Sequence, residues 1–184
     1  GEEAFMKQQI EEKLADGFTC IKLKIGAIDF DKELQLLRFI REHFTPEQVE
    51  IRVDSNGAFD SDLALDKLIQ LTEFKLHSIE QPIQKNHTDR MAELCKTTPF
   101  PIALDEELIG VFTLAEKEQL LEKIKPQYII LKPSFVGGFR GTQEWISLAE
   151  KHKIGWWITS ALESNIGLNA IAQWTFLQHN LMPQ

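Results

Sequence analysis

Two kinds of hydrophobic spacing alternate along the chain. Over 3–15, Phe5, Met6, Ile10 and Leu14 recur at helical intervals until Asp16-Gly17 stops the run. Over 19–25, Cys20, Lys22 and Lys24 alternate with Ile21, Leu23 and Ile25, a period of two that predicts a short strand closed by Gly26. A long amphipathic run over 30–44 follows, with Leu34, Leu37, Phe39 and Ile40 on its apolar stripe, and 49–53 reads as a second strand. The alternation then repeats. Helices are predicted over 61–71, 89–96, 113–123, 141–153 and 165–177, with strands ending at Ile79 and spanning 102–104, 128–131 and 155–158.

A leading helix and six strands, each followed by a helix, imply a parallel sheet with right-handed crossovers. No Pro/Gly/Ser-rich linker interrupts residues 1–184, which read as one domain. A doubly wound open sheet with a dinucleotide site would want a GxGxxG turn, and none is present. The uniform units therefore favour an α/β fold of the TIM-type (β/α) barrel. Because the chain opens on a helix and closes on one, the first and last barrel strands are expected to be missing. With Gly1 in place of an initiator Met, the sequence is expected to be a piece of a longer enzyme.

Composition narrows the function. The 184 residues are 43% hydrophobic and 26% charged, ordinary for a globular protein. A net charge of −8 argues against a nucleic-acid partner. No apolar stretch reaches the ~20 residues needed to cross a bilayer, and no secretory segment opens the chain. Cys20 and Cys95 have no CxxC or Cys/His partner at zinc spacing, and two thiols suit a cytoplasmic setting. The histidines (43, 77, 87, 152 and 179) avoid the C-terminal ends of the strands and read as structural. Trp145, Trp156, Trp157 and Trp174 read as core packing. Nothing in the pattern fixes an oligomeric state.

The chemistry gathers at those strand ends. Lys24, Asp54, Glu80, Asp105, Lys132 and Ser160 each fall at or just beyond one, separated in turn by 30, 26, 25, 27 and 28 residues. In a barrel they would face one mouth, where barrel enzymes keep their chemistry. Asp54, Glu80 and Asp105 come from consecutive strands, and a hard divalent cation would relieve their repulsion. The bland alternative is three solvated loop acids. Lys22 and Lys24 share a strand face, so two ammonium groups at close range are expected to depress each other's pKa and yield a general base. The alternative for Lys22 is a structural charge, and for Lys132 an ion pair with Asp105. Taken together, a lysine base, a metal and an opposed lysine suit removal of a proton next to the carboxylate of a small-molecule substrate.

Lys22-Leu23-Lys24 resembles the KxK motif of the muconate lactonizing enzyme subgroup of the enolase superfamily, and Asp54-Ser55-Asn56 resembles its DxN motif. Glu80-Gln81-Pro82, Asp105-Glu106 and Lys132-Pro133 followed by Gly137-Gly138 are similar to its remaining landmarks in order and spacing. The resemblance implies Mg²⁺, with Mn²⁺ a plausible substitute, on Asp54, Glu80 and Asp105. Asn56 and Glu106 would support the metal, Lys24 and Lys132 would be the acid/base pair, and Lys22 would tune Lys24. A lysine base beside Mg²⁺ is the general arrangement of that superfamily. The resemblance also implies an N-terminal capping domain, to which nothing in this chain corresponds.

Within the subgroup, the segment from Ser160 to Gly167 looks most like that of the o-succinylbenzoate synthases of menaquinone biosynthesis. Such lyases dehydrate 2-succinyl-6-hydroxy-2,4-cyclohexadiene-1-carboxylate through an enediolate. Ser160, Glu163 and Ser164 would then lie at the substrate, with Ser164 also expected to cap the last helix. Two other functions remain open: an N-acylamino acid racemase or dipeptide epimerase using the same lysines, and an inactive barrel fragment serving only as a binding module.

Overall fold

The computed structural model describes residues 3–180 and 182, so residues 1, 2, 181, 183 and 184 of the expected single domain lie outside the described part. The chain divides into two compact units, Gly1–His87 with Thr97–Ile102, and Thr88–Lys96 with Ala103–Gln184.

The first unit holds α1 (Glu3–Ala15), β1 (Cys20–Lys24), α2 (Phe30–His43), β2 (Glu50–Asp54), α3 (Ala64–Leu71) and β3 (Ser78–Glu80). Its strands are parallel and in sequence order, and the register sets Lys24 beside Asp54 and Asp54 beside Glu80. The period-two reading of β1 holds. Ile21 and Leu23 are buried, while Cys20, Lys22 and Lys24 keep solvent access on the other face. Ile51, Val53 and Ile79 are fully buried, as are Leu37 of α2 and Leu68 and Leu71 of α3. Burying such side chains supplies the main driving force for folding, about 1.5–3 kcal/mol each.

The second unit holds α4 (Thr88–Thr97), β4 (Ile102–Leu104), α5 (Leu114–Ile124), β5 (Tyr128–Leu131), α6 (Gly138–His152), β6 (Gly155–Ile158) and α7 (Asn165–Phe176). Its strands too are parallel, β4 to β5 to β6. Ala103, Ile130 and Trp157 form a buried cluster joined by Tyr128, whose ring centroid is 5.5 Å from that of Trp157. Trp145 is fully buried and Trp156 is buried, as expected of core packing, whereas Trp174 is half-buried and stacks on the exposed Phe139 at 5.0 Å. α5 opens on a capping box between Thr113 and Glu116.

Two helix starts differ from the sequence reading by three residues each. α3 starts at Ala64 rather than Ser61, because the Asp60 carboxylate takes the Asp62 N–H at 2.8 Å and holds a turn in front of the helix. α6 starts at Gly138, three residues early. The left-handed Gly137 directs its carbonyl to the Gly141 N–H, so the glycine pair belongs to the helix entry rather than to the loop. Short 3-10 turns at Thr72–Phe74 and Glu106–Leu108 were not foreseen.

Candidate active site

Five of the strands carry a charged side chain at or one residue past their C-terminal end, each in an ion pair with another residue in or just past a strand. In the first unit Asp54 is fully buried and Glu80 is 3% exposed. The Lys22 ammonium pairs with Glu80 and lies 3.0 Å from Asp54, while the Lys24 ammonium pairs with Asp54 and donates to Asn56 Oδ1. Lys22 and Lys24 thus share a strand face and meet the same carboxylate. In the second unit the Lys132 ammonium pairs with Asp105, which is 2% exposed. That is the ion pair weighed for Lys132 from sequence.

The loops behind these residues are tied together. Asn56 N–H donates to Asp54 Oδ1 at 2.9 Å, fixing the carboxylate from its own strand end. The buried Ser55 hydroxyl faces the Gln81 and Pro82 carbonyls at 2.8 and 3.2 Å, and Ser55 N–H donates to the Glu80 carbonyl at 3.2 Å. Ile25 N–H reaches the Asp54 carbonyl at 2.8 Å. Gly26 has a φ of +87, and a Cβ there would lie 2.6 Å from the Ala58 Cβ, so the β1–α2 loop presses on the β2–α3 loop where only glycine fits. The role of Ser55 is not evident from sequence, because it comes from contacts with a loop 26 residues away. A small hydroxyl between two landmark residues was the available signal.

The electrostatics correct one expectation. Burial depresses the Lys22 pKa, but the facing Glu80 and Asp54 carboxylates outweigh it, and the net shift is upward rather than downward. Nearby anions, not the second ammonium, control Lys22. Burial raises the Asp54 carboxyl, yet the Lys22 charge and the hydrogen bonds from Lys24, Lys22 and the Asn56 N–H hold it below the usual carboxylate range.

The helix-start segment also departs from expectation. Both Glu163 oxygens are engaged, Oε1 by the Ser134 hydroxyl at 2.6 Å and Oε2 by the Ala161 N–H at 2.7 Å. Burial works against the ionised form, but these bonds and the Lys132 charge hold Glu163 below the usual range. It therefore clamps the loop before α7 onto the loop after Lys132 rather than presenting a free carboxylate. Ser164 occupies the N-cap position of α7 without a side-chain cap bond, contrary to its expected capping role, and Ser160 is half-buried two residues past β6. Glu106 opens the 3-10 turn next to Asp105.

A divalent cation fits the donor set on a specific observation. Asp54 Oδ2 and Glu80 Oε2, from adjacent strands, converge on a single cationic centre, the Lys22 Nζ. Two hard carboxylates that already surround one positive charge are suited to a hard divalent cation. Among the described residues, a different group brings Glu118, Glu122 and His152 ligand atoms within 4.8 Å of one another on α5 and α6. The Lys151 ammonium pairs with Glu118 there.

Residues 5–184 match the enolase C-terminal domain-like family. The chain belongs to that family. It is 59% identical to an o-succinylbenzoate synthase of Desulfotalea psychrophila over all of this chain and 50% of that protein. It is 33% identical to an N-succinylamino acid racemase of Thermus thermophilus over 86% of the chain and 40% of that protein. The crystal structure of MenC from Desulfotalea psychrophila superposes with a TM-score of 0.94 at 58% identity, covering 100% of this chain and 51% of that one. The chain thus spans about half the length of the relatives it matches. Its fold class is α/β, with six of the parallel strands of an enolase-superfamily (β/α) barrel. Members of the superfamily generally use a divalent metal. No helix among the described residues is long and apolar enough to cross a membrane.

Proposed function

We propose that the protein carrying this chain is an o-succinylbenzoate synthase. It would dehydrate 2-succinyl-6-hydroxy-2,4-cyclohexadiene-1-carboxylate to o-succinylbenzoate. The observation that carries this reading is the Lys22–Lys24 pair set on buried strand-end carboxylates. The 59% identity over the whole chain supports the choice of substrate.

Asp54, Glu80 and Asp105 are the residues that would hold the cation. Mg²⁺, or Mn²⁺ in its place, would supply positive charge against the substrate carboxylate and acidify the adjacent C–H. Lys24 removes that proton, breaking the C–H bond. The electron pair moves into the ring, the C–O bond to the hydroxyl breaks, and Lys24 returns its proton to the departing oxygen as water. Proton, hydroxyl and charge balance without any further reactant. Lys24 suits the role because its side chain is 60% exposed, whereas Lys22 is 38% exposed and held by two carboxylates. Lys22 stays charged and orients Asp54 and Glu80. Lys132, paired with Asp105, would stabilise developing negative charge. Asn56 holds Lys24 and Asp54 in register, Glu106 supports the Asp105 side, and Ser160 and Ser164 would contact the succinyl chain.

Two thiols free of disulfides, one half-buried and one buried, suit work in the cytoplasm. An ultraviolet assay of the full-length protein with the cyclohexadiene substrate tests the proposal, since the diene becomes aromatic on turnover. Metal-dependent turnover supports it. Absence of turnover, together with exchange of the α-proton of an N-succinylamino acid, would move the activity to racemisation.

A further inference from the structure

Glu33 lies on α2 and is 2% exposed. Its Oε1 accepts three successive backbone N–H groups, from Gly26 at 2.6 Å, Ala27 at 3.2 Å and Ile28 at 3.3 Å. Those residues form the loop that leaves β1 immediately after Lys24. Oε2 of Glu33, also buried, has no hydrogen-bond partner among the described residues.

As a stabilising device this is poorly matched. A buried carboxylate carries a desolvation cost, and one that leaves an oxygen unsatisfied recovers only part of it. The three donors belong to Gly26, Ala27 and Ile28, exposed residues of the loop. What Glu33 adds is a fixed position, since three donors on one oxygen allow the loop a single placement over the helix.

That placement is transmitted to Lys24 over two links. Ile25 N–H bonds the Asp54 carbonyl at 2.8 Å, and Gly26 packs where a Cβ would come within 2.6 Å of the Ala58 Cβ. The loop clasped by Glu33 therefore bears on the segment that presents Asp54 and Asn56, the two acceptors of the Lys24 ammonium. With its side chain 60% exposed, Lys24 has little packing to hold it, so backbone and acceptors set its direction. We propose that Glu33 is a positioning residue for Lys24, fixing the base through the β1–α2 loop. Its consequence for turnover rests on the synthase reading above. The fixation of Lys24 does not.

The bonding pattern defines the test. All three bonds fall on one oxygen, so glutamine can reproduce them with its carbonyl and place its amide where Oε2 has no partner. Alanine removes the acceptor, and aspartate is one methylene too short to reach. Glu33→Gln, Glu33→Ala and Glu33→Asp are made in the full-length protein and checked for folding by circular dichroism. For Glu33→Ala and Glu33→Asp, kcat is expected to fall roughly 10- to 100-fold with KM changed less than about 3-fold, the size expected of a catalytic group displaced by about 1 Å. Glu33→Gln should stay within about 3-fold of wild type.

The second readout needs no substrate. Lysines are reductively ¹³C-methylated, and the Lys24 NMR signal is assigned by its loss in Lys24→Arg. That signal should move toward the free-lysine position in Glu33→Ala and Glu33→Asp and stay in place in Glu33→Gln. If the alanine variant does not fold, the Asp and Gln variants decide between them. An unmoved Lys24 signal in Glu33→Asp overturns the proposal. So does a Glu33→Gln variant as impaired as Glu33→Asp. A wild-type protein without synthase turnover would remove the functional reading while the Lys24 signal still decided the positioning.

Discussion

The Lys22 ammonium stands 3.0 Å from Asp54, a carboxylate with no solvent exposure, while the lysine side chain itself is 38% exposed. One buried anion thus depends on a cation that keeps its own access to water. Glu80 shares that cation from the neighbouring strand.

Lys22→Met removes the shared cation and leaves two buried carboxylates facing each other. Breaking a fully buried pair costs about 3–5 kcal/mol, and solvent access at Lys22 reduces this to roughly 1–3 kcal/mol. The deficit should shrink as Mg²⁺ is added, because the same oxygens would then bind the metal. Thermal melts with and without Mg²⁺ provide the check. A deficit unaffected by the cation would contradict the metal reading of Asp54 and Glu80.

The pH dependence has a sign at each end. Asp54 is depressed in the folded state, so its contribution is complete above its unfolded value of about 3.9 and is lost as pH falls through the folded one. Lys22 is raised, so its contribution is complete below its unfolded value of about 10.4 and disappears as pH climbs through the folded one. Urea midpoints should hold level between these limits and decline beyond both. In Lys22→Met both declines should flatten. A variant whose midpoints parallel wild type at both extremes would remove the pair as their source.

Ser55→Ala deletes the hydroxyl that ties the β2–α3 loop to the Gln81 and Pro82 carbonyls. Leaving those acceptors without their donor costs about 1–3 kcal/mol. Chemical denaturation should register that loss, accompanied by weaker Mg²⁺ binding measured by calorimetry. Unchanged stability would mean that the loop contacts carry no weight.

Much of this arrangement was legible in the sequence, for a definite reason. The strands are mostly apolar along their length, so Asp54, Glu80, Asp105 and Lys132 stand out at or just past their ends. Lys22 and Lys24 stood out because period-two spacing left no other face for them. Other features left no periodic mark. The turns at Thr72–Phe74 and Glu106–Leu108 are too short to show a repeat. Glu33 sits beside Leu34 in an amphipathic helix, where an acid reads as a solvent-facing residue. The upward shift of Lys22 depends on distances to Glu80 and Asp54 that no spacing rule supplies.

Both thiols should be slow to react. Burial pushes Cys20 up to about 11 and Cys95 up to about 12, against about 8.5 for a free thiol. At pH 8 a disulfide reagent should label the native protein slowly, Cys95 more slowly than Cys20, and both promptly once urea unfolds it. Prompt native labelling of Cys95 would contradict its burial on α4.

In the proposed reaction Lys24 acts as the base and Lys132, paired with Asp105, as the electrostatic stabiliser. The most direct measurement is aromatisation of the cyclohexadiene carboxylate in the ultraviolet by full-length wild type, Lys24→Ala and Lys132→Ala with saturating Mg²⁺. Loss of a general acid/base contributes about 10²–10⁴ to the rate, and loss of an electrostatic stabiliser about 10²–10³. The account predicts rapid wild-type turnover and a fall of at least about 100-fold in each variant. Turnover by Lys24→Ala at the wild-type rate would contradict it.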